Sequence, residues 1–167
     1  KDIHSYSNRE YKQQIAVVPQ KFSSPWGTVE NYMLKTIRRY SHIKKPDKRL
    51  DEISRKMNVS GLLNRKIRSL APGELRWVVL AAQIAADTKV LFIDEYEQHL
   101  CKEDIKQLNN ILYRKINFDG ITLITSTQNK DIFNRLASVT ITMENGRITS
   151  LRSFSKKKDN YRNKRKT

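Results

Sequence analysis

Residues 90–95 read Val90-Leu91-Phe92-Ile93-Asp94-Glu95, four apolar residues in succession that stop at two carboxylates. The run has strand length and no polar alternation, so it predicts a strand covered on both faces, as in a parallel α/β sheet. Upstream of it, Ala71-Pro72-Gly73-Glu74 opens a long apolar stretch in which Leu75, Val78, Val79, Ala82 and residues 84–86 read as the buried positions of a helix. Pro72 suits the first turn, where a missing N–H costs nothing. Further upstream, Gln14-Ile15-Ala16-Val17-Val18 is short and β-branched and is followed by Pro19, which predicts a strand that ends there and leaves Gln20 at its exit. Downstream, the same alternation predicts a helix over 103–116, a turn at Asp119-Gly120, a strand over 121–125 and a helix over 129–136. Two further strands, 139–143 and 147–151, are joined by Glu144-Asn145-Gly146, and Asn-Gly is a strong hairpin signal. The sheet is therefore expected to be mixed at its edge.

Between the first strand and Pro72 the pattern is helical. Val29, Tyr32, Met33, Ile37 and Tyr40 recur at spacings of three and four behind Thr28, a good N-cap, and Pro46-Asp47 opens a second helix carrying Leu50, Ile53 and Met57 and ending near Gly61. Their outer faces are basic, with Lys35, Arg38, Arg39, Lys44, Lys45, Lys48 and Arg49. The whole chain of 167 residues carries 33 Lys and Arg against 17 Asp and Glu, a formal charge of +16, which draws it towards phosphates, nucleic acid or anionic lipid without choosing among them. The length allows one domain with a real core. A single cysteine, Cys101, excludes an internal disulfide, and a cytoplasmic location fits. No apolar run approaches the roughly 20 residues of a membrane helix. The last stretch, 153–167, is almost all polar and rich in Lys and Arg, and reads as a disordered basic tail. His4, His42 and His99 are scattered without metal-ligand spacing.

A strand that ends in two carboxylates is the Walker B arrangement of phosphoryl-transfer ATPases. Alone it is weak, because a strand ending in a solvated acidic turn looks the same. The order of the surrounding features is more specific: Gln20 after a strand, a helical pair, Leu70-Ala71-Pro72-Gly73-Glu74 at a helix start, Asp94-Glu95, then another strand. Together with Thr28-Val29-Glu30-Asn31 and Met143-Glu144-Asn145-Gly146-Arg147-Ile148, it resembles the ATP-binding subunit of ABC transporters from the Q-loop onward. The resemblance implies an α/β, P-loop NTPase-like core over 1–152 with a mostly parallel sheet and a helical subdomain inserted over 28–64. It also implies ATP and Mg²⁺ as ligands, with Asp94 and Gln20 at the metal, Glu95 as general base, and Ala71, Gly73 and Glu74 at the signature position that meets the nucleotide of a second ATPase subunit. The switch histidine position, counted back from Leu136-Ala137, falls on Gln128; a slip of one residue would put Thr127 or Asn129 there. Implied partners are transmembrane permease subunits and a second ATPase subunit, at the cytoplasmic face of the cell membrane, with anionic lipid meeting the basic tail.

This chain departs from the family pattern in several places. No Gly-x-x-x-x-Gly-Lys motif occurs in it, so nothing in residues 1–167 offers the usual phosphate cradle, and a preceding strand, loop and helix of roughly 30 residues is expected to be missing. Ala71 lacks the signature serine hydroxyl and Pro72 has no N–H. Tyr96 replaces a proline and Cys101 an aspartate, and Gln128 cannot carry a positive charge as histidine does. The chain alone is therefore expected to hydrolyse ATP feebly or not at all. A non-hydrolysing regulatory relative is the alternative, and a ribosome- or RNA-binding factor of the same family a more distant one.

Overall fold

The computed structural model describes residues 5–133 and 136–154. The chain divides into two units, residues 1–129 and 130–167, and each is described by itself. In the first unit, β1 (Ile15–Val18), β2 (Val90–Ile93) and β3 (Thr122–Thr125) form a parallel sheet in the order β1-β2-β3, with Val18 beside Ile93 and Ile93 beside Thr125. All three strands therefore end at one edge, the place where ligands of open α/β sheets bind.

A helix that the hydrophobic pattern does not predict, α1 (Asn8–Gln14), leads directly into β1. Its start carries a capping box: the Ser7 hydroxyl accepts the Glu10 N–H at 3.3 Å, and the Glu10 carboxylate accepts the Ser7 N–H at 2.9 Å. The spacing Ser7-x-x-Glu10 is its sequence signal. Next come α2 (Val29–Ile37), capped by Thr28 Oγ1 on the Asn31 N–H at 3.2 Å, and α3 (Pro46–Lys56). The second of these ends five residues before Gly61, because Asn58 enters the left-handed region at φ 53° and turns the chain. The ends of the helical segment are drawn together where Val29 N–H donates to Arg65 and Ile67 N–H to Gly27, each at 3.0 Å.

The core is built around α4 (Pro72–Ala85), which packs against α2, α3 and β1. Every residue from Arg76 to Ala82 is buried, so the helix is enclosed all round, while Leu75 is half-buried. Its last carbonyls are met by two side chains of the helical segment: Arg49 Nε donates to Ala85 at 2.9 Å and His42 Nε2 lies 2.9 Å from the Ala86 carbonyl. Donors and cations at a helix C-terminus satisfy orphan carbonyls and the dipole. Arg49, expected on a solvated basic face, is thus drawn inward, with Asp87 3.4 Å from its guanidinium. The helix α5 (Lys102–Phe118) connects β2 to β3, and its Lys115 is buried in ion pairs with Asp87 and Asp119.

Two expectations about the sheet are corrected. Ala16, Val18, Leu91 and Ile93 are buried, but on the opposite face Val17 and Ile124 are about half exposed, so among the described residues β2 is not covered on both sides. Nor is the sheet mixed: in the second unit β4 (Val139–Glu144) and β5 (Arg147–Ser153) form an antiparallel sheet of their own. Asn145 and Gly146 make its turn with φ of 48° and 74°, both left-handed, as a two-residue hairpin turn requires. The helix expected over 129–136 is a short 3-10 turn, Lys130–Phe133, and Asn134 and Arg135 lie outside the described residues. The basic tail from Ser155 onward also lies outside them.

Candidate functional site

At the carboxyl edge of the sheet the three strand exits are tied to one another. Asp94 N–H continues the ladder to Val18 at 2.9 Å, and Ser126 N–H reaches Ile93 at 3.2 Å. The Ser126 hydroxyl then serves both carboxylate residues: it donates to Asp94 Oδ1 at 2.6 Å and accepts the Glu95 N–H at 2.9 Å. Asp94 remains exposed and Glu95 half-buried, so both side chains stay within reach of a ligand arriving at the edge. Glu95 sits at φ 44° and His99 at φ 60°, two left-handed residues in one turn, each costing on the order of 1 kcal/mol. Such strain collects at functional sites.

The residue that organises this edge carries no sequence signal of its own. Arg76, 5% exposed, sends one guanidinium nitrogen to the Pro19 carbonyl at 2.7 Å and the other to the carbonyls of Asp94 and Glu95 at 2.6 and 2.8 Å. It thereby joins the residue before Gln20 to the two carboxylate residues, from the first turns of α4. Burial lowers the Arg76 pKa and the carboxylates of Asp94, Glu95 and Glu97 oppose that, so the group stays a cation. Gln20 is half-buried one residue beyond Pro19.

The start of α4 holds Ala71, Gly73 and Glu74. Ala71 is the N-cap and has no side chain to cap with; Glu74 compensates, its carboxylate accepting the Ala71 N–H at 2.9 Å and pairing with Arg65 at 2.6 Å. The Ala71 N–H foremost, and then Arg65, holds the Glu74 carboxyl below its usual range. A side chain at Gly73 would place its Cβ 2.9 Å from the His99 carbonyl oxygen, a backbone atom. Gly73→Ala is therefore expected to lose more from that clash, about 1–3 kcal/mol, than the roughly 1 kcal/mol alanine gains in a helix. A thermal unfolding midpoint lower by a few degrees checks it; a rise would show that the 96–100 turn gives way freely.

The departures after Glu95 have local reasons. Tyr96 is fully buried, its hydroxyl donates to Asn109 Oδ1 at 2.6 Å, and its N–H, which proline lacks, donates to Ser126 at 3.1 Å. Cys101 caps α5, its sulfur accepting the Asp104 N–H at 3.4 Å. Gln128 follows the exit of β3, and its N–H donates to the Glu97 carboxylate at 3.0 Å. The structure thus brings Gln20, Asp94, Glu95 and the Gln128 backbone to one edge, with Gly73 against the turn that follows Glu95. Ser126, Arg76 and Glu97 are the additions.

The donor set suits Mg²⁺. A carboxylate, an amide carbonyl and a hydroxyl are hard oxygen ligands, and this ion keeps several waters and needs only one or two carboxylates. Among the described residues no group of three or more His, Cys, Asp or Glu could hold a metal. Also among the described residues, no helix is long and apolar enough to cross a membrane.

Residues 1–98 match the family model described as ABC transporter. The cell division ATP-binding protein FtsE of Streptococcus pneumoniae is 36% identical over 90 residues, 52% of this chain and 39% of that protein. The cytochrome c biogenesis ATP-binding export protein CcmA of Rickettsia conorii is 38% identical over 65 residues, 39% of this chain and 34% of that protein. The chain thus spans less than two fifths of the length of either relative. In solved structures, an ATP-binding subunit of an ABC transporter superposes with a TM-score of 0.77 at 17% identity, over 87% of this chain and 61% of that one. A dimeric ATP-binding cassette in a post-hydrolysis state, bound to ADP and Pi, gives 0.75 at 19% identity, over 89% and 68%. At these identities the structures establish the fold.

Proposed function

We propose, from the premise that this chain belongs to the ABC transporter family of ATP-binding proteins, that it forms the part of an ATPase subunit that holds the metal and the attacking water and couples them to a membrane partner. The observation that carries the reading is the convergence of Pro19-Gln20, Asp94-Glu95 and the segment after β3 on one sheet edge, joined by Arg76 and Ser126. Asp94 and Gln20 bind Mg²⁺, which neutralises phosphate charge when bound. Glu95 orients a water and accepts its proton. Residues 28–64 meet transmembrane permease subunits, and the α4 start, with Ala71, Gly73 and Glu74, faces a second ATPase subunit at the inner side of the cell membrane. The phosphate cradle is not supplied by residues 1–167, in which no Gly-x-x-x-x-Gly-Lys motif occurs.

Equilibrium ATP binding by the complete gene product, with and without Mg²⁺, tests the metal assignment. Asp94→Asn is expected to abolish the Mg²⁺-dependent part of the affinity, about tenfold or more for a lost charge-assisted contact. Mg²⁺ dependence unchanged in Asp94→Asn would refute it.

A second reading is a non-hydrolysing regulatory relative, favoured by Ala71 and Pro72 at the start of α4 and by Gln128 in place of a titratable residue. Under that reading ATP binds without turnover.

A further inference from the structure

The carboxylate of Glu97 lies between the turn that follows β2 and the segment that follows β3. Thr127 Oγ1 lies 2.8 Å from each of its oxygens, and Oε1 also accepts the Gln128 N–H at 3.0 Å and the Asn129 N–H at 3.3 Å. Thr127 Oγ1 additionally accepts the Asn129 N–H at 3.0 Å, so the three residues are folded around one half-buried acid. A carboxylate is an acceptor only, with room for all of these donors on two oxygens.

We infer that Glu97 is a positioning residue: its ionised carboxylate fixes the 127–129 segment, and with it the residue at the switch position, to the turn that follows β2, whichever side chain that residue carries. The inference rests on the ATPase reading for the meaning of position 128. It does not depend on the alignment, because a slip of one residue gives Thr127 or Asn129, and Glu97 holds each of them. The contacts to Gln128 and Asn129 are made by backbone N–H groups, so the hold on the segment does not depend on which side chain stands at position 128.

The electrostatics agree with the geometry. Burial by itself raises the Glu97 pKa, but hydrogen bonds from its own backbone N–H, Thr127, Gln128 and Asn129 outweigh it and hold the group below the usual glutamate value. Among the described residues the Arg76 guanidinium of α4 is a charged group that senses the Glu97 carboxylate, and the 127–129 segment brings no titratable group. Because the folded-state pKa is depressed, the contribution is complete above the ordinary glutamate pKa and is lost as pH falls through the folded value.

The test uses residues 1–167 as they stand, followed by amide NMR as a function of pH. Gln128 and Asn129 amides are expected to exchange about tenfold or more slowly than unstructured amides at neutral pH, and to titrate together on the acid side of the ordinary glutamate pKa. Glu97→Gln, which keeps the shape and one acceptor, is expected to remove that titration and speed the exchange while the buried α4 amides, such as that of Val78, stay protected. Gln128 and Asn129 amides that exchange freely in the parent, or titrate identically in Glu97→Gln, would overturn the inference. In the complete gene product Glu97→Gln should then lower kcat about tenfold with KM for ATP unchanged; a rise in KM alone would contradict a positioning role. Absence of ATP binding by the complete gene product with the amide titration intact would instead defeat the ATPase reading and leave the clamp standing only as structure.

Discussion

Replacing Arg76 with Met is expected to lower the stability of the 1–129 unit by about 2 kcal/mol or more, read as a urea midpoint shifted down by about 1 M. Methionine fills much of the same volume, so the loss isolates the guanidinium. The carbonyls of Pro19 and Asp94 lose this donor at once, while that of Glu95 keeps the Gln98 N–H at 3.1 Å. Each orphaned buried acceptor costs about 1–3 kcal/mol, and the lower bound is used because two of these residues stand at the edge of the sheet, where water can re-enter. Set against a total stability of about 5–15 kcal/mol for a domain, the change is severe. Arg76→Lys should fall between, since an ammonium has donors enough but not the planar fork that spans two strand exits. A midpoint unchanged in Arg76→Met would mean that the carbonyls are served by water and that the site is not organised from α4.

The second large effect concerns Glu95. Its N–H is fixed by Ser126 and its carbonyl by Arg76, so the side chain projects from a backbone with little freedom. Glu95→Gln keeps size and hydrogen-bonding shape but removes the proton acceptor. General-base catalysis is typically worth 10²–10⁴-fold, so ATP turnover by the complete gene product is expected to fall at least about a hundredfold with ATP binding retained. The same variant leaves Arg76 and Ser126 contacts to the backbone in place, which separates a chemical effect from a structural one.

Much of this site is legible in the amino-acid sequence. The apolar run ending in Asp94-Glu95, the Thr28 cap, the Pro72 helix start and the Asn145-Gly146 turn are local signals, and each appears as a strand end, a cap, a first turn and a left-handed pair. What local pattern does not give is pairing across long separations. Arg76 looks like a solvent-facing charge in an otherwise apolar helix until the strand exits, 18 and 57 residues away in sequence, are seen around it. Glu97 and the 127–129 segment meet over about 31 residues, and nothing in either stretch marks the other as its partner. The hairpin's alternation is satisfied by β4 pairing with β5, a choice of partner that the alternation does not specify. By contrast α1 has a local signature that is easily passed over: Ser7 and Glu10 form the capping box, but only seven helical residues follow before β1.

The candidate functional residues are therefore of two kinds. Asp94, Glu95 and Gln128 occupy positions that a family pattern identifies, while Arg76, Ser126 and Glu97 are found only by asking which donors satisfy the exposed ends of three parallel strands. The signature stretch combines both: Gly73 is required by the close approach of the His99 carbonyl, and Glu74 does the capping that Ala71 cannot.

The most direct measurement is steady-state Mg²⁺-dependent ATP hydrolysis by the complete gene product beside its Glu95→Gln variant, with nucleotide binding measured on both. An ATPase subunit built on this edge hydrolyses ATP and loses that turnover in Glu95→Gln while still binding the nucleotide. Turnover that survives in Glu95→Gln, or a parent that binds ATP and never turns it over, would contradict the catalytic assignment, and the latter would transfer the protein to the non-hydrolysing reading.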